Sequence, residues 1–156
     1  MRTMNRVLIV DDHALFRGAL RDYLSQEPDF RIVGEAGNMR EAIKSIGILL
    51  PHLVLTDLSM PDTHGIEAVT EIKRHYPGVK VLVISSHGEK EYKQLCRKAG
   101  ASGYIMKDAI DDKLRDSIRA VLNGKNSPNA EASGVARLNN SIDAAAAGED
   151  PAYLLH

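Results

Sequence analysis

The feature of this sequence that most restricts its fold is an alternation of strand-type apolar runs with amphipathic helical segments, repeated five times. The apolar runs begin near residues 6, 30, 53, 79 and 104, and each is followed by apolar residues at helical spacing. Such alternation favours parallel strands joined by helical crossovers. The run from Val79 to Ile84 is too uniformly apolar for a strand with one wet face, so it is predicted to be a buried central strand.

The pattern predicts an α/β fold, specifically a flavodoxin-like three-layer αβα sandwich. Its five-stranded parallel sheet should have the strand order 2-1-3-4-5. In sheets of this kind, ligands bind outside the carboxyl ends of the strands. The residues that follow the predicted strands are therefore where a functional site should be sought.

The chain is predicted to form one domain and a tail. Its 156 residues are enough to bury about two-thirds of the surface of the unfolded chain. Residues 1–125 are predicted to be the domain, because the composition changes after them to Ala, Asn, Ser, Gly and Asp. Residues 126–156 are predicted to be a linker or tail, in which Val135, Leu138 and Ile142 leave one helix as an open alternative.

Composition points to a cytoplasmic protein. Acidic and basic residues number 21 and 20, so no overall field would draw the chain to nucleic acid or to an anionic membrane. The segment Ile46–Leu55 is interrupted by Pro51 and is far shorter than the ~20 apolar residues that span a bilayer. The single cysteine, Cys96, cannot form an internal disulfide and is interpreted as a small buried apolar residue.

Polar residues follow four of the predicted strands at their carboxyl ends. Asp11 and Asp12 follow the first strand, Asp57 ends the third, and Ser85 and Lys107 end the fourth and fifth. Each has an ordinary explanation when taken alone: a helix cap for the aspartate pair, a turn for Asp57, and a solvated surface charge for Lys107. Their joint placement favours a single site, with Asp57 expected to face solvent at the edge of the sheet.

The chemistry of this set suggests phosphoryl transfer. Three converging carboxylates repel one another unless a cation is present, and oxygen ligands with room for water suit Mg²⁺. No histidine pair, and no histidine with cysteine, has the spacing of a zinc site. A carboxylate beside Mg²⁺ can attack a phosphoryl group to give an acyl phosphate, and Lys107 and Ser85 could then hold the transferred oxygens.

Several stretches of the sequence together resemble the receiver domain of two-component response regulators. The resemblance covers roughly residues 5–124. The stretches are VLIVDD from Val7, LTDLSMPDTHG from Leu55, VISS from Val83 and GYIMK from Gly103.

The resemblance implies a role for each site residue. Asp57 would be the phosphoacceptor, charged by a sensor histidine kinase. Asp57 and Asp12 would bind Mg²⁺ directly, and Asp11 would bind the ion through water. Ser59 would contribute its backbone carbonyl as a further ligand.

The resemblance further implies that Ser85 and Tyr104 form a switch pair. The hydroxyl group would move toward the phosphoryl group, and the aromatic ring would turn inward to reshape the surface of the last two helices and the strand between them. Ser59 and His87 occupy positions that tune dephosphorylation in this family.

Lys107-Asp108-Ala109 resembles the branch of response regulators in which a LuxR-type helix-turn-helix domain follows the receiver. Residues 126–156, including Ser127-Pro128, resemble the linker of that branch and carry no basic cluster of a DNA-binding domain. The chain is therefore interpreted as a signalling switch. Its output, DNA binding and transcription regulation, would require a domain absent from this chain. A homodimer is left open, and no membrane partner is expected.

Other functions were weighed against this interpretation. A stand-alone or phosphorylation-independent receiver would act through protein–protein contacts alone. A phosphohydrolase would need a general acid two residues after the nucleophile, where this chain has Ser59. A nucleotide-binding protein would need G-x-G-x-x-G or G-x-x-x-x-G-K-[ST] after a strand, and neither occurs. No enzymatic activity is expected beyond self-catalysed transfer to Asp57 and its dephosphorylation.

Overall fold

A computed structural model of the chain describes residues 4–60, 62–86 and 90–124. Five parallel strands form one sheet in the order β2-β1-β3-β4-β5, as the sequence predicted. The strands are β1 (Asn5–Val10), β2 (Phe30–Ala36), β3 (Leu53–Asp57), β4 (Lys80–Ser85) and β5 (Gly103–Met106).

A helix follows each strand, and a short 3₁₀ turn at Lys107–Ala109 precedes the last helix. The second helix begins with a reciprocal cap. The side chain of Asn38 accepts a hydrogen bond from the Glu41 N–H (2.9 Å), and the Glu41 carboxylate accepts one from the Gly37 N–H (3.1 Å). The helices are α1 (Ala14–Ser25), α2 (Met39–Leu49), α3 (Gly65–His75), α4 (Lys90–Ala99) and α5 (Ile110–Leu122).

The sheet is the middle of three layers, because successive residues of each strand point to opposite faces. In β1, Leu8 and Val10 pack on the face covered by α2, α3 and α4. Val7 and Ile9 pack on the face covered by α1 and α5. The residues of β4 from 81 to 85 are all buried, which confirms the prediction of a central strand.

The third strand ends at Asp57, as the sequence predicted. The residues that follow stay partly apolar through Met60 but do not continue the strand. Ser59–Met60 instead pairs antiparallel with Thr63–His64 in a separate hairpin. A Cβ atom at Gly65 would lie 2.3 Å from the Cα of Leu58, so a glycine is required where the chain doubles back onto itself.

Cys96 has the structural role that the sequence indicated. Its side chain is buried in the layer between the sheet and α4, and burial raises the pKa of the thiol to about 12. The thiolate is the reactive form of cysteine, so Cys96 is inert in the folded chain.

The boundary between domain and tail stays a prediction. Residues 126–156, with Ser127-Pro128 and the face formed by Val135, Leu138 and Ile142, lie outside the described residues. Gly124 is the last of the described residues and lies just beyond the end of α5. Its φ of +75° is the left-handed conformation expected of a glycine at the end of a helix.

The loop after α2 contains a residue with unfavourable backbone geometry. Leu50 has a φ of +50°, although its side chain is apolar and 60% exposed. The conformation is held by hydrogen bonds, since the Leu50 carbonyl accepts from Nε (3.1 Å) and Nη2 (2.8 Å) of Arg6. A side chain in this region costs about 1 kcal/mol.

His52 joins the starts of three strands. Its Nδ1 accepts a hydrogen bond from the Arg6 N–H (3.0 Å), and its own N–H donates to the Arg6 carbonyl (2.9 Å). The His52 carbonyl accepts from the Lys80 N–H (3.0 Å). Burial, together with the charge of Arg6, lowers the pKa of His52 below its ordinary value.

We expect Leu50→Gly to raise the free energy of unfolding by about 0.5–1 kcal/mol, measured by urea denaturation. Glycine adopts this φ without strain, and the backbone carbonyl that Arg6 binds is retained. Leu50→Ala is the matched control, because it removes the same exposed side chain and keeps the strain. A gain in the alanine variant equal to that in the glycine variant would contradict the explanation.

We expect the unfolding free energy of the wild-type chain to fall relative to that of His52→Asn as the pH decreases. The folded chain binds a proton at His52 less readily than the unfolded chain does. The contribution is therefore complete above the unfolded pKa of about 6.5 and is lost as the pH falls through the lower folded value. Asparagine can accept the Arg6 hydrogen bond without titrating. Parallel pH profiles from pH 7.5 to 5, measured by urea denaturation, would refute this expectation.

Candidate functional site

Asp11 lies directly after β1 and is held on several sides. Its N–H donates to the carbonyl of Ala36 on β2 (3.0 Å). One carboxylate oxygen, Oδ1, accepts a hydrogen bond from the His13 N–H (2.8 Å). The residue is 2% exposed, so its carboxylate is a fixed and nearly buried part of the sheet edge.

Asp57 is the last residue of β3 and pairs in register with Ile84 of β4. Its placement at the strand end agrees with the sequence, but the expectation that it faces solvent was wrong. Asp57 is 4% exposed. Neighbouring strand ends surround it, and the Lys107 side chain lies against its carboxylate.

Lys107 follows β5 and joins the two buried carboxylates. Its Nζ lies 3.3 Å from Oδ2 of Asp11 and 3.3 Å from Oδ2 of Asp57. The same ammonium group lies 4.4 Å from the centre of the Phe16 ring on α1. The side chain is 20% exposed. Lys107 is therefore a bridging cation and not a solvated surface charge.

Ser85 and Tyr104 lie on neighbouring strands. In the β4–β5 register, Val83 is opposite Tyr104 and Ser85 is opposite Met106, which places the serine two residues further along the same face as the tyrosine. Both residues are buried, Ser85 at 0% exposure and Tyr104 at 1%. The Nζ of Lys93 on α4 lies 5.9 Å from the centre of the Tyr104 ring. Tyr104, one member of the predicted switch pair, therefore lies close to α4.

The acidic loop after β1 has the donors of a cation site. Ligand atoms of Asp11, Asp12 and His13 all lie within 4.8 Å of one another. The Asp12 side chain is 38% exposed, which leaves room for water on its outer side. Two carboxylates with an open side fit the preference of Mg²⁺ for hard oxygen ligands and retained water. The backbone of Ser59 lies in the short hairpin, and the use of its carbonyl as a ligand stays a prediction.

The sequence interpretation overlooked His13, although it directly follows the aspartate pair. Its Nδ1 lies 3.6 Å from Oδ1 of Asp12 and 3.8 Å from Oδ1 of Asp11. The imidazole is 75% exposed, so it stands at the outer rim of the loop. His87, to which the resemblance assigned a position that tunes dephosphorylation, lies outside the described residues.

Asp62 has a role that its position in a turn did not reveal. Its Oδ1 accepts a hydrogen bond from the Met39 N–H (2.9 Å), and its Oδ2 accepts one from the Arg40 N–H (3.1 Å). The Met39 hydrogen bond, with a smaller contribution from Arg40, holds the pKa of this carboxyl below its usual range. The loop that follows Asp57 is thereby tied to the first turn of α2.

Comparison with known proteins places this arrangement in a family. Residues 7–119 match the family model described as the response regulator receiver domain. A relative with similar sequence is the transcriptional regulatory protein DegU of Brevibacillus brevis, 35% identical over 119 residues. That match covers 76% of this chain and 50% of DegU. The chain spans about half the length of the curated relatives it matches.

Solved structures show the same fold. A two-component response regulator of the LuxR family from Aurantimonas sp. SI85-9A1 matches with a TM-score of 0.79 and 29% identity, over 86% of this chain and 97% of that chain. A structure of two RcsB dimers bound to two parallel DNAs matches with a TM-score of 0.77 and 27% identity, over 87% of this chain and 68% of that chain. Among the described residues, no helix is long and apolar enough to cross a membrane.

We expect Lys107→Met to lower the free energy of unfolding by about 2 kcal/mol in Mg²⁺-free buffer, because two nearly buried carboxylates lose their shared cation. In that background, adding Asp57→Asn should recover part of the loss, since one repelling charge is removed. Urea denaturation of the four chains of this double-mutant cycle measures the coupling.

Lys44→Met, on the exposed side of α2, is the control for loss of a lysine charge and should change stability by less than about 0.5 kcal/mol. Additive effects of the two site substitutions would show that Lys107 does not bridge the carboxylates in solution.

Proposed function

The chain belongs to the response regulator receiver domain family, and from this membership we propose that Asp57 accepts a phosphoryl group from a sensor histidine kinase in the presence of Mg²⁺. Receiver domains of this family act in two-component signalling. The observation that carries the residue assignment is the bridging position of Lys107 between Asp11 and Asp57 at the carboxyl edge of the sheet. Three charged groups from three different strand ends meet there.

The metal set that we propose is Asp57 and Asp12 as direct ligands, Asp11 through water, and Ser59 through its backbone carbonyl. The hard oxygens of the acidic loop and the open side of Asp12 support this set. Bound Mg²⁺ neutralises charge on the phosphoryl oxygens and on the carboxylates. Asp11 is held by its hydrogen bonds to Ala36 and His13, so it needs little reorganisation to orient a water molecule.

In the transfer step, a carboxylate oxygen of Asp57 attacks phosphorus and the bond between phosphorus and the donor nitrogen breaks. An acyl phosphate forms on Asp57, and the donor imidazole keeps the electron pair of the broken bond. Lys107 then turns from the Asp57 carboxylate to the phosphoryl oxygens, and the Ser85 hydroxyl donates to another of them. Because both donors come from strand ends held by the sheet, only their side chains need to move to reach the phosphoryl oxygens.

Ser85 and Tyr104 would transmit the structural effect of phosphorylation to the surface of the domain. The two side chains lie on one face of adjacent strands, so movement of the serine toward the phosphoryl group opens space beside the aromatic ring. Lys93 lies near that ring, which connects the movement to α4. The response is a population shift, limited by the preference of the phosphoryl group for one state over the other.

The output that we propose lies beyond the receiver. Residues 1–125 would be the receiver and residues 126–156 a linker to a DNA-binding domain in a longer transcription regulator. DegU is a transcriptional regulatory protein and RcsB dimers have been seen on DNA, and both facts support this output and a homodimer of the chain. A cytoplasmic location belongs to the same proposal. The chain acts as a signalling domain and is not a classic turnover enzyme.

Incubation with acetyl phosphate should add one phosphoryl group to the chain in a Mg²⁺-dependent reaction, measured by intact mass. Asp57→Asn should abolish the gain, because an amide cannot form the acyl phosphate. Asp22→Asn is the matched control: its side chain is 78% exposed on α1, and the variant should be modified like the wild type.

Failure of the wild-type chain to gain mass, both with acetyl phosphate and with a phosphorylated histidine kinase, would reject phosphotransfer at Asp57. The chain would then be assigned to the alternative class, a receiver that acts through protein–protein contacts without phosphorylation.

A further inference from the structure

Arg17, on the first turns of α1, connects the acidic loop to the neighbouring strand. Its Nη1 donates a hydrogen bond to the backbone carbonyl of Asp11. Its Nε donates to Oε1 of Glu35 on β2 (3.0 Å). The side chains of Arg17 and Glu35 are only 20% and 23% exposed, so this link is shielded from solvent over most of its surface.

The carbonyl that Arg17 holds belongs to the peptide between Asp11 and Asp12. The N–H of Asp11 is already bound to Ala36, and its carboxylate is bound to His13 and Lys107. The Arg17 contact therefore fixes the remaining polar group of Asp11. Because it also fixes the peptide plane that leads to Asp12, it limits where the Asp12 carboxylate can lie.

The Arg17–Glu35 pair has a charge balance suited to a cation site. An unpaired guanidinium group beside the acidic loop would repel a divalent ion. Here Arg17 shares the Glu35 carboxylate with Arg21. Arg21 also pairs with Asp22, so two carboxylates offset the two guanidinium charges behind the loop. The planar guanidinium group of arginine can donate to two acceptors in different directions, here the Asp11 carbonyl and Glu35. The single ammonium group of lysine is less suited to this geometry.

We propose that Arg17 is a positioning residue of the metal site, which holds the Asp11–Asp12 peptide in the geometry that binds Mg²⁺. The proposal deepens the function given above and rests on it for the identity of the ion. Arg17 touches neither the ion nor the phosphoryl group. It acts through the backbone of Asp11, as residues behind metal ligands commonly do.

The chain contains a matched control for this role. Arg21 lies one turn further along α1 and donates to the other oxygen of the same carboxylate, Oε2 of Glu35 (2.7 Å). Within the described part of the chain, Arg21 forms ion pairs with Glu35 and Asp22 and not with the acidic loop. Substituting either arginine removes one link between α1 and β2, but only Arg17 holds the Asp11 carbonyl.

The test is Mg²⁺ affinity of the full chain and its variants, measured by competition with Mn²⁺ detected by electron paramagnetic resonance. Arg17→Met should weaken Mg²⁺ binding about tenfold, whereas Arg21→Met should change it by less than about twofold. Arg17→Lys, which can still donate one hydrogen bond, should lie between the wild type and Arg17→Met. Without metal, the melting temperatures of the two methionine variants should lie below that of the wild type by similar amounts.

A second readout separates positioning from a general loss of structure. The rate of modification by acetyl phosphate should fall in Arg17→Met at limiting Mg²⁺ and return close to the wild-type rate at saturating Mg²⁺. Equal Mg²⁺ affinities of Arg17→Met and Arg21→Met would overturn the proposal. If Arg17→Met does not fold, unchanged affinity in Arg17→Lys would overturn it.

Absence of phosphotransfer at Asp57 and absence of a positioning role for Arg17 would give different results. A wild-type chain that binds Mg²⁺ but gains no phosphoryl group would reject phosphotransfer, while the affinities of the variants would still decide the role of Arg17. A wild-type chain that is phosphorylated, with Arg17→Met equal to it at every Mg²⁺ concentration, would reject the inference alone.

Discussion

The ammonium group of Lys107 is the contact on which the rest of the site depends. It lies at equal distance, 3.3 Å, from a carboxylate oxygen of Asp11 and one of Asp57, both of which are nearly buried. Two such carboxylates without a cation would repel each other. The strand order makes the contact possible, because it brings the carboxyl ends of β1, β3 and β5 to one edge.

The length of the lysine side chain matters for this geometry. Between β5, which precedes Lys107, and β3, which ends at Asp57, lies β4 with Ser85 at its end. A four-carbon stem can reach across that intervening strand, whereas the short hydroxyl of Ser85 stays at its own strand end. The Phe16 ring lies near the ammonium group on the α1 side. The long side chain of Lys107 and the short side chain of Ser85 therefore lie at the same edge of the sheet, although they come from adjacent strands.

Sequence periodicity was sufficient to predict the fold, because the alternation of strands and helices is read from local patterns and restricts how parallel strands can be joined. It was not sufficient for contacts between distant segments. The stretch after Asp57 keeps the apolar residues Leu58 and Met60, and the close approach of Gly65 to Leu58 is a contact that the linear pattern did not reveal. Similarly, Arg17 and Asp62 look like ordinary helix and turn residues. Their contacts with Asp11 and with α2 depend on packing between elements.

The burial of Cys96 has a practical consequence for spectroscopy. A thiol with a pKa of about 12 is almost entirely protonated at neutral pH, so it reacts slowly with maleimides and methanethiosulfonates while the chain is folded. Cys96 is also the one cysteine in the sequence. A cysteine introduced on an exposed helix face can therefore carry a spin label or a fluorophore selectively, with the native core left intact.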